Sequence, residues 1–262
     1  MSGDRARLDV AAGIARLRLI RPQARNAIDR EMVLAIGAAL EACEAQPGVR
    51  CLLITAEGPT FSVGGDLAYL AAMPEQLSEE LGEMIGHYHA TLHRLAALPA
   101  PVVCAVRGAV AGGALGLLWC SDIVLAADGT RFTGGFSRLG LSGDGASTFF
   151  LPQLVGLRRA LELTLDARVL SAAEALDWGL ISRVVAPEAL DGAAEEAARR
   201  YAAGPTVAYA QQRRLLRSAW TATFAEQLEA ERQAMIRCGA TADAREGIEA
   251  FAARRTPRFE GR

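Results

Sequence analysis

An α/β architecture on a mostly parallel sheet is predicted for this chain of 262 residues. Short apolar runs at 51–55, 102–106 and 122–127 have the length and composition of buried strands. Helical patterns and glycine turns separate them, as crossovers between parallel strands require. After Gly145 the chain becomes almost entirely helical.

The elements follow in order. Residues 8–20 alternate apolar and polar as a strand pair would, with a turn at Ala12-Gly13. Asp29 can cap a helix running to about residue 45, whose apolar face is Met32, Ile36, Leu40 and Cys43. A long helix spans 76–97, and a helix from Gly112 to Cys120 follows a glycine turn. Ser171-Ala-Ala-Glu174 reads as a capping box, Gly179 ends the short helix it opens, and 181–185 reads as a return strand. From Pro187 three further helices are expected, broken near Gly204-Pro205, Thr221 and Gly239. The division that follows is a core over residues 1–200 and a helical region over 201–262, packing on that core or on a neighbouring subunit.

Composition narrows the function. There are 28 basic and 30 acidic residues, every basic one an arginine, and the net charge is −2 with no basic block, which argues against nucleic acid as a partner. The cysteines are Cys43, Cys51, Cys104, Cys120 and Cys238, an odd number with no C-x-x-C pair. They are expected to be reduced thiols in a cytoplasmic protein, not a metal site. The N-terminus is charged at Asp4, Arg5 and Arg7, without a signal-peptide core, and no apolar run is long enough to span a membrane.

Three segments carry the chemistry. Gly64-Gly65-Asp66 lies in one glycine loop, Gly112-Gly113 in a second between a strand and a helix, and Asp144 in Leu141-Ser-Gly-Asp-Gly-Ala146. A glycine lets the backbone approach a ligand closely. Amides at a helix start are unpaired and favour negative charge. A donor aimed at a developing oxyanion is worth about 3–4 kcal/mol in the transition state. Two such N–H groups and one carboxylate together read as enolate chemistry on a thioester. The alternative readings are a tight turn at Gly64-Gly65, small-residue packing at Gly112-Gly113, and a turn aspartate capping the helix from Ala146.

These segments resemble the crotonase superfamily, the enoyl-CoA hydratase/isomerase family. The resemblance rests on Arg21-Pro-Gln-Ala-Arg-Asn-Ala-Ile28, Phe61-Ser-Val-Gly-Gly-Asp-Leu67 and Val106-Arg-Gly-Ala-Val-Ala-Gly-Gly-Ala114, and continues through Leu151-Pro-Gln-Leu-Val-Gly156 and Phe251-Ala-Ala-Arg-Arg-Thr-Pro-Arg-Phe259. It implies a spiral of ββα units with a helical C-terminal trimerisation region, assembled as a homotrimer or a hexamer. It implies acyl-CoA as ligand, coenzyme A entering as part of the substrate with no separate cofactor. The thioester oxygen would be held by the amides of Gly65 and Gly113. Substrate contacts would fall on Ala24, Arg25, Ser62, Gly64, Asp66 and Gly112, largely through backbone, and on Phe136 and Leu139 around the acyl group.

The family pattern breaks at two places. Hydratases of this group use two glutamates, and the matching positions here are Gly116 and Phe136. Asp144, in Leu139-Gly-Leu-Ser-Gly-Asp144, is similar to the single acid of the family's isomerases. One carboxylate suffices to take a proton at one carbon and return it two carbons away. An apolar pocket would make it a better base. In a dehalogenase relative the matching Asp attacks an aromatic carbon and a helix His assists hydrolysis; His93 is the expected counterpart. His87 and His89 read as less specific. A hydratase and a low-turnover acyl-CoA-binding protein complete the alternatives.

Overall fold

The computed structural model describes residues 5–262; Asp4 lies outside them. β1 (Ala6–Ala11) and β2 (Ile14–Leu19) form the expected antiparallel hairpin, with Ala6 opposite Leu19 and Ala11 opposite Ile14. At the turn Ala12 and Gly13 have φ of 52° and 74°, the paired left-handed conformations that suit strand twist. α1 (Arg30–Glu44) starts where Asp29 accepts from the Met32 amide at 2.8 Å, and it buries the predicted Met32, Ile36, Leu40 and Cys43.

The chain continues through β3 (Cys51–Ala56), α2 (Leu67–Ala71), α3 (Leu77–Ala97), β4 (Val102–Val106), β5 (Ala109–Ala111) and α4 (Leu115–Trp119). β6 (Ile123–Ala127), β7 (Arg131–Thr133), α5 (Ser147–Leu165), β8 (Leu170–Ser171), α6 (Ala172–Asp177) and β9 (Arg183–Val185) follow. α7 (Leu190–Ala202), α8 (Thr206–Ser218), α9 (Phe224–Gly239) and α10 (Ala242–Ala252) close it. The three breaks fall where expected, but they delimit four helices after Pro187 and not three. Ser171 and Glu174 form the predicted capping box of α6.

The main sheet has the order β1-β2-β3-β4-β6-β9 and is parallel from β2 onward. Both faces are covered, so each central strand is apolar throughout and its alternate residues serve different cores. Leu52, Ile54, Val102 and Cys104 pack toward α1 and α3, against Met32, Ile36 and Leu95. Cys51, Leu53, Val103 and Ala105 pack toward α7, where Ala194, Ala197 and Ala198 let the helix lie close. Burial pushes the Cys43 thiol up to about 11 and those of Cys51 and Cys120 to about 12, which keeps them protonated and inert. Among the described residues no helix is long and apolar enough to cross a membrane.

A second sheet, β5-β7-β8, went unpredicted because its strands hold three, three and two residues, too few to show a period. It matters for function. After β4 the chain passes into β5, paired with β7, and β5 leads directly into Gly112-Gly113.

Candidate active site

The first glycine loop is held by side chains that never reach the cavity. Asn26 is fully buried; its Oδ1 accepts from the Arg21 amide at 2.8 Å, and its Nδ2 donates to the carbonyls of Glu57 and Thr60, both at 2.9 Å. Ser62 Oγ donates to the Asn26 carbonyl at 2.7 Å and accepts from the Gly64 amide at 3.2 Å. Asp66 caps α2 by accepting from the Tyr69 amide at 3.1 Å, and it takes a hydrogen bond from Arg21 at 2.6 Å. Burial alone would raise the Asp66 carboxyl, but the Tyr69 amide and Arg21 outweigh it and hold it below the usual carboxylate range. The Ile28 amide donates to Gly64 O and the Asp66 amide to Ile28 O, at 2.8 and 2.9 Å. This bridge leaves the Gly65 N–H between them without an acceptor among the described residues, on the wall of a cavity.

The second loop is joined to the first. The Ser62 amide donates to Ala109 O and the Ala111 amide to Ser62 O, at 3.2 and 3.1 Å. Gly64, at φ 82°, passes so close that a Cβ there would lie 2.5 Å from Ala111 O; no other residue fits. Gly112–Ala114 form a single 3-10 turn leading into α4, so the Gly113 amide sits at a helix start, unpaired among the described residues, on the same cavity wall. Tyr88 on α3 donates its hydroxyl to Gly113 O at 2.7 Å, which ties the glycine turn to α3 on the far side of Gly113 from its amide. Burial pushes the Tyr88 phenol well above its ordinary value, so it remains a donor.

Asp144 completes the group. A Cβ built on Gly113 would lie 3.6 Å from Asp144 Oδ2, which places the carboxylate beside the second amide. Its approach depends on Gly116: a Cβ there would lie 2.8 Å from Leu92 Cδ1 and 2.9 Å from Gly145 O. The backbone after Asp144 therefore fills the space that a side chain at position 116 would need. Asp144 does not cap α5, whose first turn has no side-chain cap. Its Oδ1 is instead 2.6 Å from His89 Nε2.

The three groups face one cavity of about 530 Å³. Leu70, Leu81, Met84 and Ile85 give it an apolar side, and Phe136 and Leu139 border it. Gly112 does too, whereas Ala24, Arg25, Ser62, Gly64 and Asp66 do not. Ser62 and Asp66 are committed to the scaffold, and Arg25 is exposed in the turn outside it. His93 is exposed and off the cavity, while His89 lies on it. His89 and His93 are four apart and share a helix face, so helical period could not choose between them.

A model described as enoyl-CoA hydratase/isomerase matches residues 9–262. The chain belongs to the enoyl-CoA hydratase/isomerase family. It is 38% identical over 254 residues to the 1,2-epoxyphenylacetyl-CoA isomerase of Escherichia coli (strain K12), covering 97% of each chain. It is 34% identical over 195 residues to 4-chlorobenzoyl coenzyme A dehalogenase-2 of Arthrobacter sp, covering 74% of this chain and 71% of that one. An enoyl-CoA hydratase crystal structure from Polaromonas sp. JS666 superposes with a TM-score of 0.92 at 31% identity, over 97% of this chain and 99% of that one. As a member of this family, the protein is an acyl-CoA enzyme of the crotonase fold.

Proposed function

We propose that the protein is an enoyl-CoA double-bond isomerase. One observation carries this reading: among the described residues lining the cavity, Asp144 is the single carboxylate, and it stands beside Gly113. Syn-hydration needs an acid and a base on one water, and Gly145 closes the position of the first hydratase glutamate at Gly116. An allylic shift needs one proton shuttle. The thioester oxygen accepts from the amides of Gly65 and Gly113, which stabilise the dienolate. Asp144 removes a proton from the carbon next to the carbonyl and returns it two carbons further on. With Nε2 protonated, His89 donates to Oδ1 and leaves Oδ2 facing the substrate. The balance closes with no cofactor beyond the coenzyme A that the substrate carries.

The assembly we propose is a homotrimer or a dimer of trimers. Phe224, Met235, Ile248 and Phe251 on α9 and α10, and Leu157 and Leu165 on α5, are exposed by 63% or more in the single chain, which supports burial against other copies. Light scattering on the purified protein tests it, and a monomer mass would refute it. Unpaired thiols at all five cysteines support a cytoplasmic site of action.

The deciding assay follows 3-enoyl-CoA and 2-enoyl-CoA by absorbance and mass, with wild type and Asp144→Asn. Conversion of 3-enoyl to 2-enoyl at constant mass, lost in the variant, is the expected result. Gain of one water on 2-enoyl-CoA, kept in the variant, would overturn it. A second reading is favoured by the contact between His89 and Asp144. On an aryl-CoA, Asp144 would attack the ring carbon and expel halide, and His89 would assist water in hydrolysing the ester. Halide release from 4-chlorobenzoyl-CoA, with silence on enoyl-CoA, would select it.

A further inference from the structure

The apolar side of the cavity is built from three elements, and each contributes one member to a polar cluster that stays off the cavity. Ile28 and Val33 flank Arg30 at the start of α1, Leu67 and Leu70 flank Tyr69 on α2, and Leu81 and Met84 follow Glu80 on α3. Glu80 is buried, at 7% exposure, and three donors meet its carboxylate. Arg30 Nε donates to Oε1 at 2.9 Å and Arg30 Nη2 donates to Oε2, a bidentate pair. The Tyr69 hydroxyl donates to Oε1 at 2.7 Å. Arg30 Nη1 also meets Glu83 Oε2 at 2.5 Å.

The short helix α2 leans on this cluster. Five residues make too short a helix to hold itself in water, so tertiary contacts set where it lies. Asp66 caps its start, and the Tyr69 hydroxyl reaches across to α3. Glu80 is where α1, α2 and α3 converge, and a buried carboxylate keeps its donors because losing them would strand its charge. A second tie between α1 and α3 lies at Arg94, which donates to Glu44 at 3.0 Å and to Glu41. Neither Arg94 nor its two partners border the cavity.

We propose that Glu80, with Arg30 and Tyr69, is a positioning group that fixes the apolar wall of the cavity and so sets the longest acyl chain it admits. The substrate class is then acyl-CoA with an apolar chain up to that limit. Affinity rises with each carbon buried against the wall and falls once the chain outgrows it. The proposal rests on this cavity being the acyl site of the enzyme proposed above, and these residues make or break no bond in the substrate.

Calorimetric binding of saturated thioesters tests it, in even steps from acetyl-CoA to lauroyl-CoA. Wild-type affinity should rise with chain length, peak and fall. Tyr69→Phe and Glu80→Gln should each keep the acetyl-CoA affinity within about twofold and relieve the fall beyond the peak by about fivefold. Tyr69→Phe loses one hydroxyl and keeps the ring, so the test stands even where Glu80→Gln fails to fold. Arg94→Ala, which cuts the tie away from the cavity, should leave the profile unchanged. A wild-type profile in Tyr69→Phe and Glu80→Gln would overturn the proposal. So would a loss equal at every length, acetyl-CoA included, or the same relief in Arg94→Ala. Wild-type binding that ignores chain length, or never falls, would overturn it too. Saturated thioesters cannot isomerise, so none of these results judges the proton shuttle at Asp144, and failure of the isomerase assay leaves this measurement intact.

Discussion

The two walls of the cavity are held in different ways. The wall that offers Gly65 is tied by buried side-chain hydrogen bonds from Asn26, Ser62 and Asp66, and it is stitched to β5 through Ser62. The wall that offers Phe136, Leu139 and Asp144 consists of residues 134–145, rich in glycine and largely exposed at 137–140. Its hold on the site comes from backbone contact at Gly116 and Gly145 and from His89. A wall fixed by many buried bonds suits a task that every thioester shares, gripping one oxygen. A wall seated by glycine packing can vary its side chains without disturbing the other wall, so under the proposed function the reaction would be set there.

Four substitutions would break or sharpen this contrast. Asp144→Asn should lower turnover at least about a hundredfold while leaving the melting temperature within a few degrees, since it removes the proton shuttle and little packing; steady-state kinetics with a thermal melt checks both. Asn26→Ala should do the opposite. It strands the Glu57 and Thr60 carbonyls and the Arg21 amide, at about 3 kcal/mol, and a melt should show a fall of roughly 6–12 °C. Gly116→Ala lies between. Its methyl must displace Leu92 or Gly145, at about 1–3 kcal/mol, and it should move Asp144 enough to cut turnover about tenfold with the thioester still bound. An unchanged kcat there would mean that the acid loop does not depend on the glycine seat.

The smallest effect concerns acid. The folded-state pKa of Asp66 lies below its unfolded value, so the stability from its bonds to Arg21 and Tyr69 is complete above the ordinary carboxylate range, about pH 4. It is lost as the pH falls through the lower folded value. Wild type should therefore lose stability more steeply than Asp66→Asn between about pH 4 and pH 2, as melts across that range would show.

Much of the fold was legible because it is written in local chemistry. The hairpin at Ala12-Gly13, the Asp29 cap, the Ser171 and Glu174 box and the apolar strands are all read from residues close in sequence. The glycine loops were legible as loops from their own residues, but the pairing of Ile28 with Gly64 and Asp66 that leaves the Gly65 amide without an acceptor among the described residues was not. That the Ser62 hydroxyl ties Asn26 to Gly64 and that Asp66 caps α2 shows only in their partners, because in sequence either side chain could equally meet a ligand.

The sequence by itself determined the fold class and the family. Tertiary structure alone decided which histidine meets that acid. His89 and His93 occupy the same face of α3, and the choice between them depends on where the helix crosses the acid loop, a matter of about 6 Å along its axis. It also decided that Gly116 is occupied space and not merely a missing glutamate, because the Gly145 backbone that fills it is far along the chain. Local pattern sets what each segment becomes; contacts between distant segments set what each side chain can reach.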